Sequence, residues 1–320
     1  MTDRSAADLV ERAAGGDRGA IARLLSVVER GGDGARAALA ALGSTPPYAH
    51  VVGITGAPGA GKSTLTGALV GALRSSGTRV AVIAVDPTSP VSGGAVLGDR
   101  IRMQVHEGDP GVYVRSMASR GAAGGLARST PQAVRVLERA GFDPVLVETV
   151  GVGQSEIAVS AAADTTVVVV NPGWGDGVQA AKAGLLEVAD VFVVNKADRP
   201  GADEAVRELE SVVGQPALGD AAPGSWRPRV LTTVATEGRG VDGLVAALRA
   251  HREHLEATGQ AVKRRERRIR GEVRGMVLEA LAARADAVCE GPGFDSVVSQ
   301  VAAGSLDPYT AARGLLTPDR

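Results

Sequence analysis

Gly56-Ala-Pro-Gly-Ala-Gly-Lys-Ser63 satisfies the pattern G-x-x-x-x-G-K-[ST] in full. Glycine backbones can wrap closely around phosphate oxygens, so that successive N–H groups and a helix N-terminus face the negative charge. In this pattern Lys62 reaches the β- and γ-phosphates, and the Ser63 hydroxyl is placed to ligate Mg²⁺. Gly56, Ala57, Pro58, Gly59, Ala60, Gly61, Lys62, Ser63 and Thr64 are thus the candidate phosphate site for a nucleoside triphosphate. The blander reading, a glycine-rich turn, is outweighed because the flanking context is also intact. The apolar run Val51–Ile54 precedes the loop as a buried strand, and Leu65–Leu73 follows it as a helix.

Three carboxylates stand where such a site needs them. Asp86 follows the apolar run Val80–Val85, Asp99 lies in the next loop, and Glu148 follows Val145–Val147. A carboxylate at a buried strand's end, followed by glycines such as Gly151 that can contact the γ-phosphate, is the layout of a metal-linked switch. Asp86, Asp99 and Glu148 are candidates, with Ser63, for holding Mg²⁺ directly or through water. Each acid can also be read as an ordinary helix cap or loop residue. Lys62, Glu148 and Gln154 are the candidate catalytic residues.

Asn195-Lys-Ala-Asp198 ends another apolar run, Val191–Val194. Guanine presents an N1–H beside an exocyclic amine, and a fixed carboxylate such as Asp198 can accept both; adenine has no such donor pair. Asn195 can tie neighbouring loops together, the Lys196 stem can lie along the base, and Thr233, Val234 and Ala235 can wall it. Base choice therefore favours GTP.

These groups need strands to carry them. Val51–Thr55, Val80–Val85, Val145–Glu148, Thr165–Val170, Val191–Asn195 and Val230–Thr233 read as strands, with helices between them, one opening at Ser129-Thr-Pro131. Continuous apolar strands imply a sheet covered on both faces: an α/β, doubly wound, mostly parallel fold whose ligands bind beyond the carboxyl ends of the strands. Residues 5–42 read as short helices, Asp17 capping one whose Ile21, Leu24, Leu25 and Val28 share a face, before a breaker at Gly43–Pro47. Two glycine-containing stretches, Arg115–Gly125 and Asn171–Lys182, read either as mobile nucleotide-reporting loops or as plain connections. Beyond Gly240, Val241, Leu244, Val245 and Leu248 form a helical stripe. Further on, Ile269, Val273, Met276 and Ala280 suggest an arm for self-association. The basic run Lys263–Arg270 reads as a solvated helix face. The implied division is 1–47, an N-terminal helical extension; 48–257, the nucleotide domain; and 258–320, a helical arm.

The net charge of −1 offers no basic field for nucleic acid, and no apolar run is long enough for a membrane span. One cysteine, Cys289, excludes an internal disulfide, so a cytoplasmic setting is the expectation. Nickel or zinc delivery would want clustered Cys and His. Here His251 and His254, at i, i+3 on a helix, are the one close pair, and as exposed histidines they make a weak metal site. A metal-insertion GTPase and a small-molecule kinase are the rival readings.

The loop Gly56–Thr64, Val85-Asp-Pro-Thr-Ser-Pro90, Gly98-Asp-Arg-Ile-Arg-Met103, Arg115-Ser-Met-Ala118, Val147–Glu156 and Asn195–Asp198 together resemble the MeaB/ArgK family, GTPases associated with methylmalonyl-CoA mutase. The resemblance runs from about Gly16 into the C-terminal helices and is strongest over residues 50–240. It implies a homodimeric GTPase of the SIMIBI class. Such a protein would chaperone an adenosylcobalamin-dependent acyl-CoA mutase, gating cofactor loading and protecting or reactivating the enzyme. By the same resemblance Ser63, Asp86, Asp99 and Glu148 match magnesium-site positions, and Asp176, Gln179 and Lys182 fall in the loop that couples GTPase to mutase. The chain departs from the family pattern at Arg120-Gly-Ala-Ala-Gly-Gly125 and at Trp174, Gly177 and Val178. An older family label, ATPase or kinase of basic amino-acid transport, conflicts with the guanine-reading motif. Gln154 stands three places after Gly151, whereas a Ras-like glutamine follows its glycine directly. Slow unaided turnover, raised by a partner, is the expectation.

Overall fold

The computed structural model describes residues 3–43, 48–86, 108–118, 129–149, 155–173, 187–214 and 225–316. Three helices come first: α1 (Asp3–Ala14), α2 (Arg18–Arg30) and α3 (Gly32–Leu42). Then follow β1 (Val51–Gly56), α4 (Lys62–Ser75), β2 (Val80–Asp86), β3 (Val112–Ala118), α5 (Thr130–Arg139), β4 (Val145–Thr149) and α6 (Ser155–Ala162). The sheet continues with β5 (Thr165–Val170), β6 (Val191–Asn195), α7 (Ala202–Val213) and β7 (Arg229–Thr233). A 3₁₀ turn (Ala235–Glu237) leads into α8 (Val241–Ala257), α9 (Gln260–Cys289), α10 (Phe294–Ala302) and α11 (Pro308–Leu316).

The seven strands form one sheet in the order β3-β2-β4-β1-β5-β6-β7, every neighbouring pair parallel. Alternate residues of one strand feed opposite cores. Val51 packs with the N-terminal helices, while Val52 and Ile54 pack with α4 and α8. Val167 and Val169 of β5 face α4 and α8, and Val168 and Val170 face α7. Both faces are therefore covered, which is why the strands read as unbroken apolar runs. Asp17 caps α2 by accepting from the Gly19 and Ala20 amides, and Ile21, Leu24, Leu25 and Val28 are buried as their spacing predicted.

Two expectations need correction. Arg115–Ala118 is not loop: it is the second half of β3, at the sheet's edge. Arg115 donates to Glu29 of α2 at 2.6 Å, and Arg18 donates to the Val112 carbonyl at 2.8 Å. The N-terminal helices thereby latch this edge. Nor are the two histidines exposed. His251 is fully buried, and His254 packs its ring against Trp226 at 5.4 Å between centroids.

The chain divides into two compact units, Met1–Arg268 and Ile269–Arg320. The N-terminal helices belong to the first, sharing a core with β3 and α5 through Leu24, Leu25, Tyr113 and Leu137. The division between these units falls inside α9, next to Arg264 and Arg268, which are tied to acids of the sheet. Half of the basic run is thus an anchor instead of a solvated face. Among the described residues no helix is long and apolar enough to cross a membrane.

Candidate nucleotide site

The glycine loop lies where β1 hands over to α4, at the carboxyl end of the sheet. Its geometry tolerates no side chain at the start. Gly56 has φ +133°, and a Cβ there would sit 1.9 Å from the Val169 carbonyl oxygen. At the far end Gly61 has φ +90°, and a Cβ would meet Asn195 Nδ2 at 2.4 Å. No side chain caps the N-terminus of α4, the end of a helix that favours an anion. The Lys62 ammonium lies inside the loop, donating to the Gly56 and Ala57 carbonyls at 2.8 and 3.1 Å.

Beside the loop the expected carboxylate is in place. The Ser63 hydroxyl donates to Glu148 Oε1, and both residues are buried. Glu148 sits between Ile54 of β1 and Ala84 of β2 in the sheet register, so its backbone is held on both sides. Asp86, buried at the last position of β2, stands next to the end of β4. Ser63, Asp86 and Glu148 thus offer hard oxygen donors of the kind Mg²⁺ takes. Asp99 and Gln154 lie outside the described residues, as do Asp176, Gln179 and Lys182.

The loop after β6 docks onto the same cradle. Asn195 Nδ2 donates to the Ala60 carbonyl at 2.9 Å. Its Oδ1 accepts from Thr233 Oγ1 at 3.0 Å and from the Ala235 amide at 3.1 Å. One buried amide therefore joins the phosphate loop, the β6 end and the β7 end. Lys196 adopts a left-handed φ of +58° and donates to the Gly59 carbonyl at 2.7 Å. Asp198 stands exposed two residues further, its carboxylate open to a ligand. A cavity of about 710 Å³ opens between α4 and the 3₁₀ turn, lined by Thr64, Gly67, Ala68, Ala235 and Thr236 among others. It continues along α4 past Gly71 and Ala72 to Val241 and Asp242 of α8, and neither Gly56–Ser63 nor Asn195–Asp198 lines it.

A strand–glycine loop–helix cradle in a parallel sheet, with a second loop fitted to read guanine, defines a P-loop GTPase. A family model described as methylmalonyl-CoA mutase-associated GTPase MeaB matches residues 21–298. The chain belongs to that family. A Pyrococcus abyssi protein named as a GTPase is 46 % identical over 309 residues, which cover 97 % of this chain and 95 % of that one. The mouse (Mus musculus) protein named methylmalonic aciduria type A homolog, mitochondrial, is 37 % identical over 220 residues, 69 % of this chain and 53 % of the relative. The crystal structure of a LAO/AO transport system kinase has a TM-score of 0.69 at 28 % identity, covering 98 % of this chain and 97 % of its own. This chain is accordingly a GTPase that binds guanine nucleotide.

Sequence reasoning missed β3 and the role of Arg264 and Arg268. A signal for the second was present: Asp143, Asp164 and Asp190 each stand just before an apolar run, and arginines one turn apart could answer them.

Proposed function

We propose that this GTPase is a nucleotide-dependent chaperone of an adenosylcobalamin-dependent acyl-CoA mutase, gating cofactor loading and protecting or reactivating its client. The family's own description and the mouse relative's name support the client class. The observation that carries the switch is the Asn195 amide, which fastens base-reading and phosphate-reading loops into one unit. A change at the γ-phosphate can then be felt by the whole site.

In this reading water attacks the γ-phosphorus in line, the bond to the β,γ-bridging oxygen breaks, and GDP and phosphate leave. Lys62 and the amides of Ala57–Thr64 neutralise the charge that develops on the phosphoryl oxygens. Asp198 accepts the guanine N1–H and amine, the Lys196 stem covers the base, and Val234 and Ala235 bound its edge. Ser63, Asp86 and Glu148 would hold Mg²⁺, which when bound supplies further charge neutralisation. Unaided turnover is slow, and the client completes the site. Residues Asp176, Gln179 and Lys182 belong to the stretch that couples to it.

A homodimer accompanies this function. Ile269, Val273, Val277 and Leu281 recur every four residues on α9, each about half exposed, a face that a second copy would cover. The test is co-purification of an adenosylcobalamin-dependent mutase from the native cell with GTP, GDP or a non-hydrolysable analogue, followed by GTPase assay with the recovered enzyme. Nucleotide-dependent capture and a rise in turnover support the reading. No capture in any state, with turnover unchanged by added mutase, removes it.

A further inference from the structure

The end of the sheet opposite the nucleotide loops carries a second construction that hydrolysis does not use. Four acids receive backbone amides where the strands begin. Asp143 accepts from His50 N at 2.9 Å, Asp164 from Val51 N at 2.9 Å and Asp190 from Thr166 N at 2.8 Å, while Glu138 bonds to the Ala49 backbone. Each acid also meets an arginine from the last helices of the larger unit. Arg252 donates to both Asp143 oxygens, and Arg264 forks onto Asp190 at 2.7 and 2.8 Å. Arg268 lies 3.4 Å from Asp164 and 3.6 Å from Glu138. Between them Thr165 Oγ1 contacts His50 Nε2 at 2.6 Å and His251 Nδ1 at 2.7 Å.

The strands gripped here are the ones that carry the site. β1 begins at Val51 and delivers the phosphate loop; β6 begins directly after Asp190 and delivers Asn195–Asp198. Strands of six and five residues move as short rods. A displacement at the nucleotide end therefore reaches the acids at the other. The two arginines are held differently. Arg264 makes a tight bidentate pair, whereas the Arg268 distances exceed the usual 2.7–2.9 Å of charge-assisted bonds. A buried ion pair is gripped or reorganised as a whole, because a half-broken one leaves an unpaired charge out of water. Beyond Arg268 the same helix runs on to Cys289 as the first element of the C-terminal unit.

We propose that Arg268, one turn beyond the Arg264 anchor, is an ionic latch through which nucleotide state sets how firmly α9 is held, and so controls the C-terminal unit. The latch needs only the guanine-nucleotide binding of the family and is independent of which client is served. By linkage, whatever the nucleotide does to the latch, the latch does to nucleotide preference.

Hydrogen–deuterium exchange on the full chain without nucleotide, with GDP and with a non-hydrolysable GTP analogue tests this directly. Amides of residues 262–275 exchange at rates differing about fivefold or more between the GDP and analogue states, the scale of a modest allosteric coupling. Arg268→Gln erases that difference, while protection of residues 56–64 by nucleotide persists; Arg268→Lys restores part of it. In Arg268→Gln the ratio of analogue to GDP affinity shifts by the same factor. A purely structural anchor would lower both affinities alike. Identical exchange across residues 262–275 in every state of the wild-type chain overturns the proposal, even if the variants do not fold. So does a difference that survives Arg268→Gln.

Discussion

The side chain of Asn195 donates to the main-chain carbonyl of Ala60 at 2.9 Å, across 135 residues of sequence. Because the same amide accepts from Thr233 and Ala235, every hydrogen-bonding direction of its oxygen is used within the protein. Asn195 therefore builds the site without needing to touch the base.

Asn195→Ala should weaken GDP and GTP binding together. Three hydrogen bonds go, and the buried groups they served lose their partner, costing about 3 kcal/mol or roughly 100-fold in affinity. Calorimetric titration with GDP measures it. Affinity retained within about threefold would mean the loops are aligned by other contacts.

Asp198→Asn should change which base is held while leaving the phosphates served. An asparagine presents a donor amide where guanine also presents donors, but xanthine carries a carbonyl in place of the exocyclic amine. GTP affinity is expected to fall about 100-fold or more, with xanthosine triphosphate gaining and ATP unaffected. Competition binding among the three nucleotides decides it. A GTP preference untouched by the substitution would remove Asp198 from base recognition.

Glu148→Gln keeps the size of the side chain that receives the Ser63 hydroxyl but removes its charge. The Mg²⁺ concentration giving half-maximal GTPase activity should rise about 10- to 100-fold, the usual cost of disturbing a metal's supporting carboxylate. GDP affinity in the presence of chelator should move little. A magnesium titration of phosphate release reads this out; an unchanged midpoint would place the ion elsewhere.

The parts of this molecule visible in its sequence are those where backbone geometry or double-sided burial leaves little choice. Gly56 and Gly61 must lack a Cβ, so the cradle is written in residue types. Strands β1, β2, β4, β5 and β6 are buried at every position and read as unbroken apolar runs. Strand β3 escapes because it lies at the edge: Arg115 and Ser116 interrupt its apolar run, and only the fold brings Glu29 to Arg115. The basic run misleads for a related reason. Arg264, Arg265 and Arg268 look like neighbours of Arg267 and Arg270, yet Arg264 and Arg268 answer Asp190, Asp164 and Glu138, and Arg265 lies over the Tyr48 ring at 3.7 Å. Partners 74 or more residues away leave no local pattern, and a charge reads as solvated until its counter-ion is found. His251 is the same lesson in a neutral side chain, buried by Thr165 and Trp226.

The floor of the sheet also fixes how stability responds to acid. Burial pushes the His50 imidazole down to about 3, with Arg252 adding to the effect. Burial likewise pushes His251 down to about 4, against the pull of Asp190. Both histidines are thus neutral when folded and take up protons on unfolding below their ordinary 6.5, so their contribution is complete above pH 6.5 and is lost as pH falls toward 4 and then 3. Glu138 acts in the opposite direction. Burial raises it to about 7 despite Arg268, so the folded chain binds its proton between pH 7 and 4.5 and gains stability there as pH falls. Between pH 6.5 and 4.5 two histidines outweigh one glutamate; below 4.5 the glutamate no longer compensates. Urea unfolding midpoints should therefore peak near neutrality and fall most steeply between about pH 4.5 and 4, easing below that as folded His251 takes up its own proton, each histidine contributing up to about 1 kcal/mol per pH unit. Comparing wild type with His251→Gln isolates one of them: the variant is less stable at pH 7 yet loses less on acidification. Parallel acid limbs for the two proteins would show that His251 is not held neutral by the fold.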